Sequence, residues 1–184
     1  ADLQVQLLPQ GELGISEADE PHITFVENAL AKARHAALHA GAAAIADDSG
    51  LCVAALGGAP GVASAHFATV ALSDTARETQ RRLQDQANNA LLIDRLRSQP
   101  DRRAHFICTL VAVRSANDPE PLVAIGRWRG NILEHPVAIE ELHRPTGRHA
   151  PIVAPLANGL QHLAPRAGAR LEEFDFFHRL AKVE

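Results

Sequence analysis

The first strong periodicity along the chain is helical. Between Thr24 and Ala40 apolar residues recur every three to four positions, so they line one face of an expected helix. Thr24 and Glu27 have the spacing of a capping box at its start, and Gly41 suits its end. We interpret Glu27 as a capping residue rather than a ligand, and Lys32 as a solvent-exposed lysine of this helix.

Strand-like runs follow the helix. Residues 42–47 predict a short buried strand that ends in an acidic turn at Gly50, and residues 51–55 form a second apolar run. Residues 105–113 and 122–133 predict two long strands joined by a polar turn. Two long strands in succession, in a chain that also contains helices, indicate an α/β or α+β domain with a mixed sheet.

Weaker patterns complete this picture. Residues 4–8 have the composition of a further strand, and the glycines and proline of residues 57–61 predict a loop. Apolar spacing predicts a helix over residues 73–97, which we expect to break near Asn88. The stretch 171–182 has the spacing of a closing amphipathic helix.

The bulk properties fit one domain over residues 1–184, with 46% hydrophobic and 22% charged residues. The net charge of -4 argues against a nucleic acid partner, because duplex binding needs a basic surface. No apolar run has the length of a membrane span, and no secretory signal is recognised. Cys52 and Cys108 lie in apolar runs and are expected to be reduced, so we expect a cytoplasmic protein without a membrane partner.

A pair of adjacent carboxylates, Asp47 and Asp48, follows the first apolar strand. Carboxylates at the end of a buried strand are costly unless a partner neutralises them. Magnesium is a common partner, because it prefers oxygen ligands and also binds phosphates. On these residues alone a solvated acidic turn is the alternative, so the sequence around them has to discriminate.

Three motifs around these carboxylates resemble the inosine triphosphate pyrophosphatase family. They are TFVENALAKA at 24–33, ADDSGL at 46–51 and LGGAPGVASA at 56–65, in the family's order and spacing. Together they are far more specific than any one of them alone. The resemblance covers roughly residues 8 to 136.

The resemblance implies an enzyme with a magnesium site. Family members hydrolyse non-standard purine nucleoside triphosphates such as dITP, ITP and XTP to the monophosphate and pyrophosphate. By that resemblance Asp48 activates water and binds Mg²⁺, and Glu20 is the second metal ligand. Ser49 contacts the nucleotide, and so do His178 and Arg179, which remain from a Ser-His-Arg motif near the end of the chain.

The resemblance also implies an architecture. The family fold is an elongated mixed sheet flanked by helices, with two lobes around a central cleft, and its members form homodimers. Here the family's opening strand and its Ser/Thr-x-Asn-x-x-Lys loop are not found before Ala1, and residues 137–170 diverge from the family. In particular, the Gly-Phe-Gly-Tyr-Asp-Pro loop that reads the base is not found.

Two alternatives remain open at this point. The chain could be a catalytically impaired relative that acts as a nucleotide-binding or dimerisation module. It could also belong to a different group of metal-dependent phosphohydrolases, the Maf-like nucleotide pyrophosphatases. The Pro60-Gly61-Val62-x-Ser64 loop favours the first family over this last one.

Overall fold

The computed structural model describes residues 6–71, 77–134 and 151–152. The predicted helix over residues 171–182 and the first two residues of the predicted strand over 4–8 lie outside these ranges. Residues 6–8 have no regular structure, so the strand prediction is wrong for them. The α-helices and strands, in chain order, are α1 (Phe25–Ala40), β1 (Ala44–Val53), α2 (Arg77–Arg95), β2 (Arg103–Val113), β3 (Leu122–Ile132) and β4 (Pro151–Ile152). Short 3₁₀ helices span Gln10–Leu13, Ala54–Leu56 and Gly61–His66.

Helix α1 begins and ends where its capping residues predict. The Thr24 hydroxyl accepts a hydrogen bond from the backbone N–H of Glu27, as an N-cap residue does. Gly41 ends the helix with a φ of 63°, a left-handed conformation that glycine adopts without strain. The prediction of this helix is confirmed to within a residue at each end, and Glu27 acts in the cap.

Strand β1 contradicts the predicted acidic turn. It runs without interruption from Ala44 to Val53, so Asp47, Asp48 and Gly50 all lie inside one strand. The turn prediction was wrong because glycine and paired aspartates usually punctuate strands, whereas here Gly50 is buried within the sheet. Successive side chains of a strand point to opposite faces, and this alternation governs the site described below.

Helix α2 also runs on where a break was predicted. It continues through Asn88, whose side chain is fully buried. Asparagine weakens a helix when its side chain competes for the local backbone, but this one bonds instead to the carbonyls of Ser64 and Ala65, in the 3₁₀ helix Gly61–His66. The two long strands predicted later in the chain are confirmed as β2 and β3.

The four strands form one sheet in the order β1-β2-β3-β4. Strands β2 and β3 are antiparallel, because the connection over residues 114–121 is too short for a parallel crossover. The backbone N–H of Ile132 accordingly donates to the carbonyl of Arg102, at 2.9 Å. Strand β4 pairs with β3 in parallel, with Asn131 opposite Pro151, so the predicted mixed sheet is confirmed.

The described residues divide into two compact units. The first contains residues 6–48 and 109–124, and its core packs the small residues of α1 against β2: Ala29, Ala33, Ala37, Val111 and Val113. The second contains residues 49–71, 77–108, 125–134 and 151–152, and its core includes Leu51, Val53, Leu92, Leu96, Ala104, Phe106 and Ile132. Cys52 and Cys108 form no disulfide, and Cys108 is buried. None of the helices in the described ranges combines the length and the hydropathy needed to cross a bilayer.

Candidate functional site

A lysine lies at the centre of the candidate site in the first unit. The Lys32 ammonium is 2.9 Å from a carboxylate oxygen of Glu20 and 3.1 Å from one of Asp48. It also donates to the backbone carbonyl of Asp47, at 3.2 Å. An ammonium group has three donors, so these three acceptors satisfy it. The structure therefore brings together Glu20 and Asp48, the two predicted metal ligands.

Helix α1 supplies a second partner to Asp48. The side-chain amide of Asn28 donates to Asp48 Oδ2 at 3.2 Å, while Lys32 holds Oδ1. Asn28 and Lys32 are four residues apart and therefore lie on one face of the helix. Both oxygens of the buried Asp48 carboxylate are thus hydrogen-bonded, as a buried charge requires.

The same asparagine fixes the segment that carries Glu20. Asn28 accepts a hydrogen bond from the backbone N–H of His22 at 3.0 Å and donates to the His22 carbonyl at 3.2 Å. His22 is two residues from Glu20, so these bonds hold the approach to the helix in place. One fully buried side chain therefore links this segment, α1 and β1.

The three charged side chains of the site differ in their exposure to solvent. The side chain of Asp48 is 7% exposed, that of Lys32 24% and that of Glu20 46%. Burial raises the pKa of Asp48, and its contacts with Lys32 and Asn28 offset part of that rise. Burial lowers the pKa of Lys32, but the contacts with Glu20 and Asp48 outweigh it and leave this pKa raised, so Lys32 stays charged. Glu20 is therefore the most solvent-accessible charged group of the three.

The structure separates the neighbours of Asp48 from it. Ala44 and Ala46 face the core under α1, and by alternation Asp48 is on their side of β1. Asp47 and Ser49 consequently point to the other face. The backbone of Asp47 takes part in the site through its carbonyl, whereas Ser49 is not brought together with Glu20 and Lys32. The predicted substrate contacts of residues 178 and 179 lie outside the described residues.

The residues present fit a magnesium ion. Since both oxygens lie within reach of one nitrogen, Glu20 Oε2 and Asp48 Oδ1 are no more than about 6 Å apart. Mg²⁺ is usually held by one or two carboxylates, with waters and substrate phosphates completing its shell. In the part of the chain that the structure describes, no group of three or more His, Cys, Asp or Glu side chains is placed to hold a metal ion.

Sequence reasoning missed Asn28 and Lys32. Lys32 was interpreted as solvent-exposed, and that interpretation is wrong because its side chain lies against β1. One pattern could have found it. Asn28, Ala29, Lys32 and Ala33 share one helix face, and polar residues among buried alanines need partners. The carboxylates of Asp47 and Asp48, which follow the helix in the sequence, were the nearest candidates for these partners.

The third sequence motif forms a separate polar network, in the second unit. The Ser64 hydroxyl accepts a hydrogen bond from the backbone N–H of Leu51 at 2.8 Å and donates to the carbonyl of Gly61. The Asn88 side chain donates to the carbonyls of Ser64 and Ala65 and accepts from the backbone N–H of Ala68. These bonds give Ser64 a structural role, and Gly61 has a φ of 59°, a left-handed conformation that glycine adopts without strain.

Comparison with known proteins gives a consistent result. The sequence profile of the Ham1 family matches residues 1–142. The chain is 69% identical over 136 residues to the dITP/XTP pyrophosphatase of Methylibium petroleiphilum, covering 74% of this chain and 65% of the relative. It is 64% identical over 132 residues to that of Leptothrix cholodnii, covering 70% and 62%. The chain thus spans less than two thirds of the length of these curated relatives.

Solved structures agree with the sequence comparison. A HAM1 protein from Coxiella burnetii has a TM-score of 0.67 and 31% identity, and the match covers 99% of this chain and 87% of that one. A nucleoside-triphosphatase, dITP/XTP pyrophosphatase, from Mycobacterium abscessus has a TM-score of 0.55 and 32% identity, with 89% and 74% covered. The predicted family resemblance and the predicted fold are confirmed.

Proposed function

The chain belongs to the Ham1 family, and from this premise we propose that it hydrolyses non-standard purine nucleoside triphosphates (dITP, ITP and XTP). The products are the nucleoside monophosphate and pyrophosphate. The observation that carries the proposal is the convergence of Glu20 and the buried Asp48 on one point of the first unit. The names of the similar proteins in Methylibium and Leptothrix supply the substrate class.

The proposed reaction is the attack of water on the α-phosphorus of the triphosphate. A water oxygen forms a bond to the α-phosphorus, the bond from that phosphorus to the α,β-bridging oxygen breaks, and pyrophosphate leaves with the electron pair. Asp48 is suited to orient the water and accept its proton, because a buried carboxylate is a stronger base than an exposed one. Glu20 and Asp48 would hold Mg²⁺, which when bound neutralises phosphate charge.

Asp48→Asn tests this assignment, and Asp47→Asn is its matched control. The two aspartates are adjacent, but the side chain of Asp48 bonds to Lys32 and Asn28, and strand alternation directs that of Asp47 to the opposite face of β1. We expect Asp48→Asn to lower kcat/KM for dITP by at least about 100-fold, the usual scale for loss of a general base. Asp47→Asn should keep most of the activity. Pyrophosphate release is measured at millimolar Mg²⁺ with dITP, ITP and XTP, and with ATP as a comparison substrate.

The alternative function, a nucleotide-binding or dimerisation module without turnover, predicts a different result of the same assay. In that case wild type and Asp48→Asn release pyrophosphate at one indistinguishable background rate. The Ham1 match decides between the two enzyme families considered from the sequence, in favour of the first. We also propose, by the same resemblance, a cytoplasmic homodimer, and the net charge of -4 supports the absence of a nucleic acid partner.

A further inference from the structure

The Lys32 ammonium is enclosed by oxygen atoms from two separate stretches of chain. Glu20 comes from the segment before α1, whereas the Asp47 carbonyl and the Asp48 carboxylate come from β1. All three ammonium donors are therefore used within the protein. One positive charge sits between two negative ones, and one of these, Asp48, is buried.

A divalent cation that bound through Glu20 Oε2 and Asp48 Oδ1 would share its ligand atoms with the Lys32 ammonium, which already contacts both. Mg²⁺ binds oxygen ligands at about 2.0–2.1 Å, far closer than the ammonium does. The Lys32 nitrogen is 2.9 and 3.1 Å from Glu20 Oε2 and Asp48 Oδ1, so a cation bound to these two oxygens would lie no more than about 5 Å from that nitrogen. The two positive charges would repel each other across a partly buried space.

We propose that Lys32 is an internal counter-ion that takes the place of the divalent cation, and that the cation binds only by displacing it. This rests on the proposed function for the choice of Glu20 and Asp48 as ligands. The ammonium keeps the buried Asp48 charge paired while no cation is present, so the site is formed before the cation arrives. The consequence is a weaker cation affinity than the two carboxylates alone would give.

The test measures Mn²⁺ binding by electron paramagnetic resonance, with the full chain and without nucleotide. We expect Lys32→Gln to bind Mn²⁺ about tenfold more tightly than wild type, a typical coupling between competing ligands. Arg34→Gln is the matched control, since it removes one positive charge from the same helix. The Arg34 guanidinium donates to the carbonyl of Asp118 and not to the site, so the Mn²⁺ affinity should stay at the wild-type value. Adding Asp48→Asn to Lys32→Gln should remove the gain.

Equal, weaker or unmeasurable Mn²⁺ binding by Lys32→Gln would overturn the proposal. If this variant folds only when Mn²⁺ is present, the cation has replaced the lost charge, which supports it. If it does not fold at all, nuclear magnetic resonance on the wild type decides. The Lys32 ammonium protons should exchange slowly with water, and saturating Mg²⁺ should make their exchange fast. Unchanged exchange contradicts displacement.

The result is independent of turnover. A wild-type chain that releases no pyrophosphate contradicts the proposed function, yet the competition between Lys32 and Mn²⁺ can still be observed. Conversely, an active enzyme whose Lys32→Gln variant gains no Mn²⁺ affinity keeps its function and loses this inference.

Discussion

At the scale of single residues, the candidate site depends on Asn28 and Lys32, which hydrogen-bond the two oxygens of the buried Asp48 carboxylate. Asp48 and Glu20 were predicted as ligands from the family resemblance, and the structure shows that both contact Lys32. Lys32 and Asn28 belong to a similar motif, but their chemistry follows from the pairing of α1 with β1, which is a long-range contact. A helix-like pattern shows which residues share a face, and it does not show what that face meets.

Asn28 provides the residue-scale prediction. We expect Asn28→Ala to lower the free energy of unfolding by about 2–3 kcal/mol, because it leaves Asp48 Oδ2 and both backbone groups of His22 without this partner. Urea denaturation of Asn28→Ala, Asp48→Asn and the double variant forms a cycle that isolates the Asn28–Asp48 bond. Additive losses of stability would show that this bond contributes nothing.

At the scale of elements, the spacing of apolar residues predicted α1, β2 and β3 well. Two other predictions, which took a glycine as a turn and an asparagine as a helix break, were wrong. Gly50 was interpreted as a turn and Asn88 as a helix break, and both lie inside continuous elements. In each case tertiary contacts overrode local preference. The Asn88 side chain is engaged by a loop 20 to 24 residues away, which no local rule could anticipate.

The two adjacent asparagines of α2 give the element-scale prediction. Asn88→Ala should destabilise the protein by about 2–3 kcal/mol, because the carbonyls of Ser64 and Ala65 and the N–H of Ala68 lose their partner. Asn89→Ala removes the same atoms from the next position and none of these bonds, so it should change stability by less than about 0.5 kcal/mol. Comparable shifts of the urea midpoint in both variants would refute the role given to Asn88.

At the scale of the whole molecule, the sequence predicted the class of fold and the mixed sheet. The family resemblance also implied two lobes, but no pattern along the sequence located the boundary between the two compact units that the described residues form, each with its own core. Each of the three long strands contributes residues to both units, so the division falls within strands and leaves no linker composition to recognise. Domain boundaries are usually inferred from loops and from shifts in composition, whereas this division lies within strands.

The pH dependence of global stability gives the prediction at this scale. Burial, together with Arg127 and Arg129, lowers the pKa of His105 below 6.5. The unfolded chain therefore takes up a proton near pH 6.5 that the folded protein resists. The contribution of His105 to the free energy of unfolding is therefore complete above pH 6.5. It is lost as the pH falls through the lowered pKa that His105 has in the folded protein.

Urea midpoints at pH 7.5 and 5.5 measure this effect. His105→Gln should reduce the loss of stability between the two pH values, and His39→Gln, at an exposed histidine, serves as the control. An unchanged loss in His105→Gln would mean that other groups account for the acid sensitivity.

The small residues of α1 have a consequence for how variants of this protein are interpreted. Ala29, Ala33 and Ala37 are almost wholly inaccessible, so the helix can approach the strands closely. That approach sets the separation between the helix that carries Asn28 and the strand that carries Asp48. A bulkier residue at position 33 would widen the gap while every polar residue of the site stayed in the sequence. The spacing of backbones, encoded by three alanines, is therefore as much a part of the site as its charges.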